Sequence, residues 1–309
     1  MHVYADLVFE GGGVKGIGFA GAISSLEQRG YKFQRVAGTS AGAIIASLIA
    51  VGYTSEEIKD IIFNLDYTRF LDRDSLQSIP LIGPIGGFIF EKAIYSGDYL
   101  ENLLRDLFIK KGKTKFKDVK LDGKWRLKII ATDITNKEML ILPDDITKYG
   151  INPDDLDIAL AVRMSTAIPF YFKPVILKKE NKQCFIVDGG VVSNFPVWIF
   201  DIEGTPRWPT FGLKFLECNL SNTAKGKRNI IHYAIDIIDT MVEENELRHI
   251  RESDFIRTIT IPTNGIRTTE FNITSEKSMK LFASGYKSVE EFLEHWDFEN
   301  YKKRYRERG

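Results

Sequence analysis

DLVFEGGGVKGIGFAGAISSLEQRGYKFQRVAGTSAGAIIASLIA, residues Asp6 to Ala50, decides how the rest of the chain is read. Leu7, Val8 and Phe9 are a short apolar strand running into the glycine-rich turn Gly11-Gly12-Gly13-Val14-Lys15-Gly16. A helix of small and apolar residues follows, then a second strand, then Gly38-Thr39-Ser40-Ala41-Gly42. Two strand–glycine–helix junctions close together point to a layered α/β arrangement. The first junction offers backbone N–H groups to an anion. The second holds Ser40 in the G-x-S-x-G pattern of a sharp strand-to-helix elbow, where a serine hydroxyl stands exposed as a nucleophile.

The glycine turn also matches the G-x-G-x-x-G spacing of a dinucleotide site. That site expects an acidic residue about twenty positions on, at the end of the second strand, to hold a ribose hydroxyl. Here the strand ends Val36-Ala37-Gly38-Thr39-Ser40, with no acid, and the turn lacks the Gly-Lys-Ser/Thr ending of a P-loop. What remains is a nest of amides, from Gly12 and Gly13 with Val14 as a third candidate, suited to a developing oxyanion. Lys15 either adds positive field there or points to solvent. At the elbow, Gly38 and Gly42 let strand and helix pass closely, and the helix beginning at Ala41 sets its positive end beside Ser40.

A serine nucleophile needs a base. The chain has four histidines, His2, His232, His249 and His295. His232 alone is a candidate, since Ser40–Asp–His232 keeps the chain order of a Ser-Asp-His triad. It falls, however, in a stretch patterned as an apolar-faced helix rather than on a loop after a strand. Asp188 ends the apolar strand Cys184-Phe185-Ile186-Val187 and is followed by Gly189-Gly190, which leave room for close approach. It should lie at the carboxyl edge of the sheet, where open α/β folds place their sites. A carboxylate is a weak base for serine, so this assignment requires burial or an apolar wall.

Around these motifs the chain reads as one domain without repeats or linkers. Thr54 starts a helix with Ile58, Ile61, Ile62 and Leu65 on one face; Leu100, Leu103, Leu104 and Leu107 mark another. Trp125–Asp133 and Glu138–Leu142 read as a hairpin, Pro153–Met164 as a helix, Thr210–Phe215 and Phe255–Ile261 as strands, and 229–251 and Ser275–His295 as helices. The apolar, Pro/Gly-broken segment Ile79–Phe90 reads as a loop packed on the core or as a lip over the site. These alternations predict a single α/β domain, three layers with a mainly parallel central sheet.

Composition excludes several classes of function. The 309 residues carry 42 basic and 42 acidic side chains, so no overall field draws the chain to nucleic acid. Lys302, Lys303, Arg304, Arg306 and Arg308 are a local exception, read either as a solvated helix end or as a contact for an anionic membrane or partner. The two cysteines, Cys184 and Cys218, form neither a disulfide framework nor a metal spacing, and no metal or cofactor is expected. The N-terminus lacks a signal-peptide pattern and no apolar run spans a bilayer, so a cytoplasmic protein, in peripheral contact with membranes at most, is expected.

Taken together, the motifs resemble the patatin-like phospholipase family, whose members use a Ser–Asp dyad without histidine. The resemblance is carried by Gly11-Gly-Gly-Val-Lys-Gly16, Gly38-Thr-Ser-Ala-Gly42 and Asp188-Gly-Gly190 in that order. Ser165-Thr-Ala-Ile-Pro169 matches the family's Ser-x-x-x-Pro block, with Met164 where alanine is usual, and Asp188–Pro196 extends the last motif. It implies Ser40 as nucleophile, Asp188 as base, and Gly11 to Gly16 as the oxyanion loop. It also implies a lipid or ester substrate cleaved through an acyl-serine, with a protein activator in some members. Residues 1–215 would form the catalytic core, and residues 216–309 a strand and helices packed on the same domain. A His232-dependent esterase and a lipid- or partner-binding module silent until activated remain open alternatives.

Overall fold

The computed structural model describes residues 3–70, 93–180, 182–217, 251–268 and 270–305. The Ile79–Phe90 segment, residues 229–250 of the expected 229–251 helix, Cys218, His2, His232, His249, Arg306 and Arg308 lie outside the described residues. In chain order, β1 (Val3–Phe9) leads to α1 (Ile17–Gln28), β2 (Tyr31–Thr39), α2 (Ala41–Val51) and α3 (Ser55–Phe63). Then come α4 (Asp98–Lys110), β3 (Leu127–Asp133), β4 (Glu138–Leu142), α5 (Ile158–Ser165), β5 (Val175–Lys179) and β6 (Lys182–Asp188). β7 (Thr210–Leu216), α6 (Glu252–Ile256), β8 (Thr258–Pro262), α7 (Ser275–His295) and α8 (Phe298–Tyr305) complete the path.

The main sheet has eight strands in the order β8-β7-β1-β2-β3-β6-β5, with β4 on the remaining edge of β3. The run from β8 to β3 is parallel; β4, β5 and β6 are joined by antiparallel pairings. Leu7, Val8 and Phe9 in the middle strand are fully buried, as continuous apolar runs are in sheets covered on both faces. One face carries the large core, with residues of α1, α2, α4, α5 and α7 on it. On the other face Phe200 packs on Val8 and Ala37.

Local signals account for most boundaries. Thr54 and Glu57 form a reciprocal capping box at the start of α3. Two boundaries differ from the sequence expectation. Pro153–Asp155 is a short 3-10 turn, and α5 begins at Ile158, because the Asp157 carboxylate accepts the Leu160 N–H and caps there. Phe255 and Ile256 belong to α6 rather than to the late strand, because the Asp254 side chain caps the turn at Arg251, and β8 starts only at Thr258.

α7 lies directly on α1. A Cβ on Gly285 would stand 1.8 Å from the Gly18 carbonyl oxygen, and one on Gly21 1.9 Å from that of Phe282. The helices touch backbone to backbone, so Gly285→Ala forces them apart. A loss of about 3 kcal/mol in urea unfolding is expected, with a midpoint equal to wild type as the contrary result.

Candidate active site

Ser40 stands between β2 and α2 with φ 53° and ψ −120°, a backbone state that side-chain-bearing residues rarely adopt. Its surroundings enforce that state. A Cβ on Gly38 would lie 2.3 Å from the Gly42 carbonyl, and one on Gly42 would lie 2.4 Å from the Phe9 carbonyl oxygen, so strand and helix close on each other only as glycines. The Ser40 carbonyl accepts the amides of Ala43 and Ile44 at 2.9 and 3.2 Å. Its N–H donates to Ser165 Oγ at 2.9 Å, and Ser165 Oγ donates in turn to the Ile130 carbonyl at 2.5 Å.

Asp188 arrives from the opposite direction. Thr39 pairs with Ile130 of β3 and Asp188 pairs with Ala131. Because β4 occupies the other edge of β3 over residues 129–133, β2 and β6 share a single edge and meet on it end to end. Asp188 therefore reaches the carboxyl edge of the parallel strands on an antiparallel strand running into it. Ser40 Oγ donates to Asp188 Oδ2 at 2.7 Å, the Gly190 N–H donates to Oδ1 at 2.8 Å, and the Asp188 N–H donates to the Ala167 carbonyl at 3.0 Å. Both side chains are buried. The segment Ser165–Ala167 thus ties the backbones of Ser40 and Asp188 to one another, a role the sequence suggested only as a motif match.

The glycine loop divides into committed and uncommitted amides. The Gly11 N–H donates to the Asn194 carbonyl, that of Val14 to the Thr268 carbonyl and that of Lys15 to the Gly12 carbonyl, each at 3.1 Å. Among the described residues no group accepts from the Gly12 or Gly13 N–H. The expectation that Val14 could contribute a donor is therefore corrected: Thr268 already holds that amide. Gly13 has φ +54°, and a Cβ there would lie 2.1 Å from the Thr268 oxygen. Gly16 closes the short 3-10 turn Gly13–Gly16 beneath α1. Lys15 neither faces solvent nor stands as a free cation; it is buried, with Nζ 2.8 Å from Glu217 and 5.4 Å from the centre of the Phe215 ring.

An apolar cavity opens at Ser40. Gly13 and Val14 flank its start, Ile44, Ile45 and Leu48 of α2 form one wall, and Leu100, Leu103, Leu104 and Leu107 of α4 form another. Thr166, Ile168 and Phe172 follow the Ser165 segment along it, and Tyr67, Phe70 and Phe271 close it with rings. Burial pushes the Tyr67 hydroxyl far above its ordinary range, so the wall stays uncharged. The leucine stripe of α4, legible as a core face, is in part the lining of this cavity. Phe271 and the Thr268 carbonyl carry no sequence signal, since one is an isolated aromatic and the other is a backbone contact.

His295 is the only histidine among the described residues, and it lies at the C-terminal end of α7 in a groove with Trp296 and Asn300, away from the cavity at Ser40. Cys184 is a buried thiol, 3.4 Å from Asn136 Nδ2. No described helix is long and apolar enough to cross a membrane.

Comparison with known proteins places this geometry in a family. YqhO, an uncharacterized protein of Bacillus subtilis (strain 168), is 39% identical over 297 residues, covering 96% of this chain and 100% of its own length. The probable lipid hydrolase 463L of Invertebrate iridescent virus 6 is 31% identical over 194 residues, covering 63% of this chain and 62% of its own. Among solved structures, VipD from Legionella pneumophila superposes with a TM-score of 0.56 at 22% identity, over 95% of this chain and 67% of that one, and shares the fold. The family description "Patatin-like phospholipase" matches residues 7–201, a span that takes in the glycine loop, the Ser40 elbow and Asp188. The chain belongs to the patatin-like phospholipase family.

Proposed function

We propose that the protein hydrolyses carboxylic esters of lipids through an acyl-serine intermediate, with Ser40 as nucleophile and Asp188 as its base. The observation that carries this reading is the 2.7 Å hydrogen bond from Ser40 Oγ to Asp188 Oδ2 at the mouth of an apolar cavity. Asp188 takes the hydroxyl proton as Ser40 attacks the ester carbonyl. The Gly12 and Gly13 amides face the charge that builds on the carbonyl oxygen, and a single donor of this kind is worth about 3 kcal/mol of barrier. The alcohol leaves with the proton from Asp188, and Asp188 then activates water to release the fatty acid. Ser165 holds the Ser40 backbone throughout and takes no proton.

The cavity selects the substrate class. Its lining is almost entirely aliphatic and aromatic, which favours an acyl chain over a small polar acid. Fluorophosphonate treatment followed by peptide mass mapping tests the chemistry: label is expected on the Ser40 peptide, with fatty acid released from phospholipid and lysophospholipid by unlabelled protein. Label elsewhere, or release undiminished after labelling, would sink the assignment. The companion substitution His232→Asn is expected to leave the rate intact.

Chain length has its own test. Leu104→Trp fills the cavity between α4 and α2. At about 0.8 kcal/mol per buried methylene, excluding some four methylenes lowers kcat/KM for a long-chain ester by roughly two orders of magnitude. Hydrolysis of a short-chain ester should be unchanged; an equal loss on both would place the chain elsewhere.

A further inference from the structure

Two hairpins carry the sheet past the edge at which Ser40 lies. β3 continues beyond Ile130 to Asp133, turns through Ile134–Lys137 and returns as β4. β5 begins at Val175, opposite Ile186, runs outward to Lys179 and returns as β6. From Asp188 back to Lys182 is about 20 Å of strand. The two hairpin ends therefore project side by side in the direction that the Ser40 elbow faces.

Their exposed residues are of two kinds. Ile176 pairs with Phe185, and the Ile134 N–H donates to the Phe185 carbonyl at 3.1 Å, which sets these three in a row across the strands. Leu177, Cys184 and Ile186 face the main core, so the alternating row faces the other way. Ile134 is 47% exposed and Ile176 51%. Lys178 shares the face of this row and Lys137 lies on the neighbouring turn, while Lys179 and Lys182 pair with each other on the opposite face at the outer end; none of the four forms an ion pair among the described residues. Of the acids at this end, Glu180 sits at the tip, Glu138 is paired with Lys148 at 3.0 Å, and Asp133 is buried within its own turn beneath Thr135, Asn136 and Tyr149. Burial opposes the charge on Asp133, but the hydrogen bonds outweigh it and hold the carboxyl below its ordinary range.

We propose that these hairpin ends dock the protein on an anionic phospholipid surface, with the lysines on the headgroups and Ile134 and Ile176 at the acyl boundary. The proposal rests on the lipid hydrolase reading for one point only, why such a surface should lie beside Ser40. Lysines on an edge strand also discourage strand-to-strand aggregation. That duty does not explain Lys137, which sits on a turn, nor two isoleucines left exposed between the charges. A lysine held near an anionic bilayer strengthens binding by roughly fivefold, and salt screens the effect.

The test uses the full chain carrying Ser40→Ala, so that vesicles are not consumed, in co-sedimentation with phosphatidylcholine vesicles or with phosphatidylcholine–phosphatidylglycerol vesicles. Binding is expected to favour the anionic vesicles and to weaken with salt. Combining Lys137→Ser, Lys178→Ser, Lys179→Ser and Lys182→Ser should lower it by on the order of several hundredfold. Ile134→Ser with Ile176→Ser should lower the binding that remains at high salt. Equal binding to both vesicles, no binding to either, or an unchanged lysine variant would overturn the proposal. Hydrolysis of a water-soluble monomeric ester by the protein with Ser40 intact is read separately. The lysine variant should match wild type there; absence of hydrolysis in both would count against the hydrolase reading alone, leaving the vesicle result to decide the docking surface.

Discussion

Ser40→Ala is expected to lower fatty acid release by roughly five orders of magnitude while leaving binding of a non-hydrolysable lipid analogue within about twofold. The size follows if Ser40 is the proposed nucleophile, since the substitution removes its hydroxyl and leaves the Gly12 and Gly13 amides and the apolar cavity in place. Stability separates this effect from misfolding. Alanine keeps a Cβ at φ 53° and loses one hydrogen bond, so the cost should be about 1 kcal/mol. Ser40→Gly removes the same hydroxyl but accepts the backbone state freely, and it should unfold later than Ser40→Ala by an amount worth about 1 kcal/mol. An inactive Ser40→Gly that is also more stable would show that the elbow stores strain for the sake of the hydroxyl. Residual activity in either variant above about a thousandth of wild type would remove Ser40 as nucleophile.

Asp188→Asn is expected to cost about four orders of magnitude in kcat. The amide is nearly the same size and can still accept the Gly190 N–H through its oxygen. It cannot take a proton, and its NH2 presents a donor where Ser40 Oγ needs an acceptor. Asp188→Glu is expected to rescue little, because the carboxylate position is set by the backbone, with the Asp188 N–H on Ala167 and Gly189 against Ile130. Near-wild-type kcat in Asp188→Asn would return the search for a base to His232.

The parts of this molecule that were legible in sequence are those whose cause is local. The Thr54–Glu57 box announces α3, and the leucines at helical spacing announce α4. Gly38 and Gly42 announce the elbow because no other residue survives a 2.3–2.4 Å approach to backbone. What the sequence could not supply is set by distant partners. The split of the glycine loop into used and free amides depends on Thr268, more than two hundred and fifty positions on, through its carbonyl alone. Lys15 was ambiguous because its partner, Glu217, follows β7. The start of α5 moved because Asp157 competes with Pro153–Asp155 for the cap, and both are good helix starts.

The end-to-end meeting of β2 and β6 on β3 makes the site sensitive to counting. Strand side chains alternate, so deleting one residue between Lys182 and Val187 would turn Asp188 to the opposite face of the sheet, however well the strand still paired. Adding a residue between Lys179 and Lys182 would leave the pairing of Ile186–Asp188 with β3 untouched. The same hairpin is thus rigid in length on its inner half and free on its outer half. Related chains can lengthen, shorten or recharge the outer end without disturbing how the serine and aspartate meet.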